Sequence, residues 1–159
     1  MTTANEYTLV EKPILDALKF YGYTFVHHCA HPSQRAGENE VLFKPHLIQA
    51  LKRISGISES DAEAVCNDVA KVTDNQRWID ILLGNYSRKI DGEANHRTIR
   101  LIDVDNVENN DFRSTSQLRV KGEVVRKPDI VVYVNGVPLV VIEAKSPTNT
   151  GQTIFDTVD

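Results

Sequence analysis

Three ionisable residues stand at the ends of the most apolar stretch of this chain: Asp129 just before it, and Glu143 and Lys145 where it finishes. A run as rich in β-branched residues as this one has no structural use for charge at its end, because a buried unpaired charge costs several kcal/mol. Strand side chains alternate between faces, so Glu143 and Lys145 project together while Ala144 points the other way. A carboxylate and an ammonium held side by side suit a metal ion and its water.

Whether Asp129 joins them depends on register. Asn135-Gly136 lies between two β-branched runs, the strongest short-range hairpin signal. A plain two-residue loop with an unbroken ladder would set Asp129 opposite Ile142, on the wrong face for Glu143. The sequence therefore predicts an odd count: a three-residue loop with Gly136 left-handed, or another bulge between Asp129 and Glu143. Pro138 favours this, since it cannot donate to a ladder and prefers a bulge or an edge.

The elements that position these residues divide near Gly84. The first half, 1–84, reads as mainly helical. Thr8 and Glu11 form a capping-box pattern ahead of Ile14, Leu15, Leu18 and Tyr21, with Gly22 as a stop. A short strand over Tyr23–Val26 and a polar loop from His31 to Glu40 follow. Pro45 opens a helix carrying Leu47, Ile48, Leu51 and Ile54 up to Gly56. Ser58 or Ser60 caps a third, with Ala62, Val65, Val69 and Val72, and Asp74 caps a fourth, with Trp78, Ile81 and Leu82. From 85 to 159 the period becomes alternating, in Arg97–Asp103 and again in Gln117–Lys121, with an Asn-rich turn over 105–111 between them. The expected class is α/β, a mixed central sheet flanked by helices with an N-terminal helical part.

Pro128-Asp129 followed by Glu143-Ala144-Lys145 at the end of the next strand resembles the PD-(D/E)xK nuclease signature. The whole block from Arg126 to Pro147, with Asn-Gly-x-Pro-Leu between the motif halves, is similar to that of type I restriction enzyme R subunits. Asn109–Phe112, Gln117–Gly122 and the first helix ending in Gly22-Tyr23 extend the likeness. The resemblance implies a restriction-endonuclease-like core in which Asp129 and Glu143 ligate Mg²⁺ or Mn²⁺, with the Ala144 carbonyl as a further ligand. In the same reading Lys145 positions or helps deprotonate a water. Glu11 resembles the first-helix glutamate that many such nucleases bring to the metal, and its capping-box role stands beside that one.

The implied function is a sequence-nonspecific DNA endonuclease domain of a type I restriction-modification enzyme, a single nuclease domain over 1–159. Its implied partners are double-stranded DNA and the methyltransferase and specificity subunits. ATP belongs to a motor that the family carries downstream; no Gly-x-x-x-x-Gly-Lys-Ser/Thr phosphate loop occurs in this sequence, so the chain is expected to be a fragment ending before that motor. A non-catalytic module that docks the motor onto the methyltransferase core, with a salt-bridged strand end, is the alternative.

Composition sets bounds on all of this. A chain of 159 residues, 41% hydrophobic and 25% charged, is one ordinary globular domain. It has no membrane-length apolar run and no secretion signal, which leaves a cytoplasmic address as the expectation. Cys29 and Cys66 lack paired spacing and read as reduced thiols. A net charge of −4 means that any DNA contact is local. The one basic concentration is Arg119, Lys121, Arg126 and Lys127, for which a solvated strand face is the competing reading.

His27, His28, Cys29 and His31 invite a zinc reading. Alternation along a strand would scatter them and no second ligand pair follows, so they read as a strand running from surface to core. Trp78 reads as core of the fourth helix. Arg35 lies where the resembled family tends to have an arginine, and the sequence offers no physical account of it.

Overall fold

The computed structural model describes residues 7–145. A π-helical turn, Tyr7–Glu11, leads into α1 (Lys12–Phe20), which is followed by β1 (Thr24–Val26), a short α2 (His31–Gln34), α3 (Lys44–Ser55), α4 (Glu59–Val69) and α5 (Asn75–Leu82). The strands that follow are β2 (Ser87–Lys89), β3 (His96–Thr98), β4 (Phe112–Ser116), β5 (Val120–Lys121), β6 (Val125–Arg126), β7 (Ile130–Val134) and β8 (Val137–Ile142). Residues 146–159, where the sequence reads as a loop after Pro147 opening a helix, lie outside the described residues. Among those described, no helix is long and apolar enough to cross a membrane.

The helices start and stop where local chemistry dictates. Ser58 Oγ accepts from Asp61 N at 3.1 Å and Asp74 Oδ1 from Arg77 N at 2.7 Å, satisfying first-turn amides that have no partner within the helix. Pro45 occupies the first turn of α3, and Gly56 ends it in the left-handed region. The apolar stripes of α3, α4 and α5 close over one core with Leu42, Ile99, Leu101 and Val137. Trp78 packs against that core and donates its indole N–H to the Val72 carbonyl at 3.0 Å. α4 stops at Val69, short of the expected Val72.

The main sheet runs β1-β4-β7-β8, with β1 parallel to β4 and the other pairs antiparallel. This is an α/β architecture with a mixed sheet, and its first strand comes from the helical half. A second core cluster, Val26, Phe43, Leu118, Val131 and Tyr133, lies on it, with Phe43 and Tyr133 stacked at 4.0 Å.

Three expected elements fall differently. Arg97–Asp103 is not one strand: only His96–Thr98 pairs, with β2, and Ile99 and Leu101 are instead buried in the helical core. The strand expected over Gln117–Lys121 is displaced, because Gln117 turns left-handed at φ 56° and ends β4 at Ser116. β4 itself is hard to see in sequence, since Ser114, Thr115 and Ser116 are polar and give no alternation of apolar residues. They are buried, and Thr115 Oγ1 donates to the Val26 carbonyl at 2.7 Å. Finally, the polar loop over 31–40 opens with the short helix α2, which has Pro32 in its first turn.

The Asn135-Gly136 turn ties the hairpin to the helices. Asn135 is fully buried: Nδ2 donates to Leu101 O and Asn110 Oδ1, while Oδ1 accepts from Asp111 N and Arg53. Gly136 O accepts from Phe43 N at 2.8 Å, and a Cβ on Gly136 would lie 2.3 Å from the Phe43 carbonyl oxygen. Only glycine lets the turn approach the start of α3 this closely.

Candidate active site

Asp129 precedes β7 and Glu143 follows β8, so the register between the strands decides whether they meet. Val134 pairs with Val137 across a two-residue turn, Asn135 at φ 52° and Gly136 at φ 78°. The three-residue loop preferred from the sequence is therefore not formed; the twist of the strands suits the tighter turn. The one-residue shift comes from the other device, a bulge. Tyr133 pairs with Pro138 but Val132 with Val140, leaving Leu139 extra. Beyond it Ile130 pairs with Ile142, and one further step sets Asp129 across from Glu143. Residues directly opposite share a face.

Side-chain contacts agree with this placement. Partial desolvation, then the neighbouring Asp129 carboxylate and a hydrogen bond to it, raise the Glu143 carboxyl above its ordinary range, and Lys145 only partly opposes them. Asp129 Oδ2 accepts from the Ala144 amide at 2.8 Å, which fixes the aspartate against the strand end. Ala144 is buried, whereas Glu143 and Lys145 are exposed. Two carboxyls and an ammonium thus converge at an accessible edge.

Glu11 approaches from the other side of the chain. It directly precedes α1, is 6% exposed, and its Oε2 accepts from Gln117 Nε2 at 3.3 Å. The Thr8 side chain lies outside the described residues. The Gln117 backbone N–H in turn donates to the Asp129 carbonyl at 3.0 Å, so Glu11, Gln117 and Asp129 form one chain of contacts. Glu11 does not close on the carboxyl pair at ligand spacing. Among the described residues, the only three-residue group of His, Cys, Asp or Glu with ligand atoms that close is His27, His28 and Cys29. Sequence reasoning assigned Gln117 to a strand and missed its bridging position, because a left-handed φ at a non-glycine residue leaves no compositional signal.

The basic residues occupy a small ribbon. Lys121 and Arg126 lie on β5 and β6, with Arg119 and Lys127 flanking, and all four are exposed. Arg119 pairs with Glu38 at 3.2 Å, leaving it partly committed within the protein. Arg35 now has a physical account. It is buried, and its guanidinium donates to the carbonyls of Glu38, Glu40 and Arg119, pinning the 35–40 loop to the segment after β4. Next to it a cleft of about 290 Å³ is lined by residues including His28, Gln117 and Arg119.

The cysteines and histidines are also placed. Cys66 is buried, which pushes its thiol up to about 11, while Cys29 is exposed. His31 is buried with Nε2 2.6 Å from Thr115 Oγ1. Since that hydroxyl gives its one proton to Val26, His31 donates. The expectation that alternation scatters residues 27–29 does not hold, because β1 ends at Val26 and a 3₁₀ turn covers His28–Ala30.

A mixed sheet with paired carboxyls and a lysine at one strand end defines an α/β protein compatible with a nuclease-like fold. The chain belongs to the type I restriction enzyme R protein N terminus family, whose model matches residues 3–158. It is 30% identical over 118 residues to the type I restriction enzyme HindI endonuclease subunit of Haemophilus influenzae, covering 67% of this chain and 11% of that one. It is 29% identical over 168 residues to a provisionally named type I restriction enzyme endonuclease subunit, MjaIXP, of Methanocaldococcus jannaschii, covering 96% of this chain and 16% of the relative. The chain therefore spans less than a fifth of the length of these relatives.

Proposed function

We propose that this chain is the DNA-cleaving part of a type I restriction enzyme R subunit, hydrolysing phosphodiester bonds without sequence preference with the help of Mg²⁺ or Mn²⁺. The observation that carries the reading is the bulge at Leu139, which brings Asp129 and Glu143 to one face, where partial desolvation and then repulsion from the Asp129 charge raise the Glu143 carboxyl. That repulsion is what a divalent cation relieves, and two carboxylates are a normal protein contribution to a Mg²⁺ site. A PD-(D/E)xK arrangement fits this donor set.

Asp129 and Glu143 would hold the ion, with the Ala144 carbonyl available between them. When bound, the ion polarises a phosphoryl oxygen and lowers the pKa of a water. Lys145 supplies positive charge where negative charge develops on the attacked phosphate and its nucleophile. Gln117 orients Glu11 toward the strand end, and the exposed Arg119, Lys121, Arg126 and Lys127 offer contacts to the DNA backbone without reading bases. Within the whole subunit, cleavage would be coupled to an ATP-driven motor and to methyltransferase and specificity subunits in the cytoplasm.

The test has two readouts. Mn²⁺ titration of this chain should show one carboxylate site that Asp129→Ala removes. Cleavage by the complete subunit in its assembly should fall about 100-fold or more with Lys145→Ala. A Lys145→Ala subunit that cuts at the native rate refutes the catalytic assignment and leaves the strand end as a structural ion pair, as a docking module would have it.

A further inference from the structure

A second set of metal-binding side chains, built from different residues, sits on the turn after β1. His27, His28 and Cys29 are all exposed, and their ligand atoms lie within 4.8 Å of one another. Consecutive residues on a strand cannot do this, but the chain leaves the strand at Val26. His27 is still extended, and its ring folds back over the 3₁₀ turn so that Nδ1 accepts from the Cys29 amide at 3.3 Å. The two imidazole rings then lie 4.0 Å apart, tilted by 37°.

We propose that His27, His28 and Cys29 bind one borderline or soft divalent ion, of which Zn²⁺ is the type, with a coordination position left open. Zinc–nitrogen bonds of about 2.0–2.1 Å and a zinc–sulfur bond of about 2.3 Å put two nitrogens and one sulfur about 3.3–3.6 Å apart in a tetrahedral arrangement. The present spread has to contract by roughly 1 Å, which exposed side chains achieve by rotating about their own bonds. The contacts that this rotation loosens are the long Cys29 amide bond to His27 Nδ1 and the edge-on approach of the His27 ring to Phe25, with ring centroids 6.3 Å apart. His31 stays out of the set, because its Nε2 is committed to Thr115.

The donors select the metal. Thiolate and imidazole favour Zn²⁺, Co²⁺ or copper over Mg²⁺ and Mn²⁺, which prefer oxygen, so this site and the strand-end carboxylates would take different ions. Binding forms a sulfur–metal bond and releases the Cys29 thiol proton to solvent, while both imidazoles donate as neutral groups. The site then carries a net charge of about +1 by that ledger. His28 also lines the cleft that reaches Gln117, so the added charge lies on the rim leading toward Glu11.

The experiment is a Co²⁺ titration of the full chain with its thiols reduced, read by absorbance. One equivalent should give a near-ultraviolet thiolate-to-cobalt charge-transfer band, which a carboxylate site cannot produce. Zn²⁺ should abolish the band and excess Mg²⁺ should leave it. Cys29→Ser should remove it, His28→Ala should weaken binding at least about tenfold, and Asp129→Ala should change nothing. Absence of the band, or its survival in Cys29→Ser, overturns the proposal. All three residues are exposed, so thermal melting of each variant should match the parent and confirm that loss of the band is loss of ligand.

Discussion

Replacing Gly136 by alanine tests whether the hairpin is locked to the helices by close backbone approach. Two separate costs arise. At φ 78° an L side chain sits in the left-handed region, at about 1–2 kcal/mol. The new Cβ would also lie 2.3 Å from Phe43 O and 2.8 Å from Leu47 N. Carbon and carbonyl oxygen approach to only about 3.3 Å, so the turn must withdraw by about 1 Å from backbone atoms that cannot rotate away. Overpacking of this kind costs about 1–3 kcal/mol, and loss of the Phe43 N to Gly136 O hydrogen bond adds about 1 kcal/mol.

The sum is about 4 kcal/mol, a large part of a stability of roughly 5–15 kcal/mol. A domain of this size should then melt about 8–16 °C lower. Gly92 supplies the control. Its φ of 79° is nearly the same, but a Cβ there meets nothing within 4 Å, so Gly92→Ala should lose only the conformational cost of about 1–2 kcal/mol. Urea unfolding of both variants measures the difference. If they lose the same stability to within about 1 kcal/mol, the close approach is not what holds the turn.

Further outcomes follow from the same contacts. Arg35→Ala should destabilise by roughly 3 kcal/mol and Arg35→Lys should recover little of it, because one ammonium cannot reach three carbonyls that a planar fork spans, as urea midpoints will show. The His31 imidazole is held down to about 4 by burial and then by Arg35, so the folded state resists its protonation; stability should fall as pH drops from about 6.5 towards 4, and His31→Gln should remove that phase of an acid titration. The hydrogen bond from His46 and the Arg113 charge hold Asp111 at about 2, so its contribution is present above the usual carboxylate range and is lost as pH falls from about 4 to 2; Asp111→Asn should flatten that segment. Glu143 shifts the other way. With its carboxyl raised, the folded chain loses stability as pH climbs through the window above the ordinary glutamate range, and Glu143→Gln should make thermal melting of the metal-free chain at neutral pH higher than the parent's.

Local signals in the sequence carried the helices and the hairpin. Ser58, Asp74, Pro45 and Gly56 act through atoms one turn away, so α3, α4 and α5 begin near where those residues say. The Asn-Gly pair identified the β7–β8 hairpin, and the odd count between Asp129 and Glu143 was demanded by the two-residue strand period alone. Which device met that demand was not legible. A three-residue loop and a bulge at Leu139 satisfy the same pattern, and the choice fell to the two-residue turn because Asn135 and Gly136 dock into Leu101, Asn110 and Phe43 from distant parts of the chain.

Long-range contacts decided everything else. β4 ends in Ser114, Thr115 and Ser116, polar residues whose place in a buried strand is clear only when Thr115 Oγ1 donates to the Val26 carbonyl and accepts from His31. Arg35 had no reason until three carbonyls surrounded it, and Gln117 joined Glu11 to Asp129 only through a backbone turn that no residue type announces. The residue types of the strand end and their spacing were written in the sequence, since they depend on neighbours along the chain. Their meeting on one face, and the glutamine that brings Glu11 towards them, came from tertiary structure, because register and partners are set by segments that approach through space.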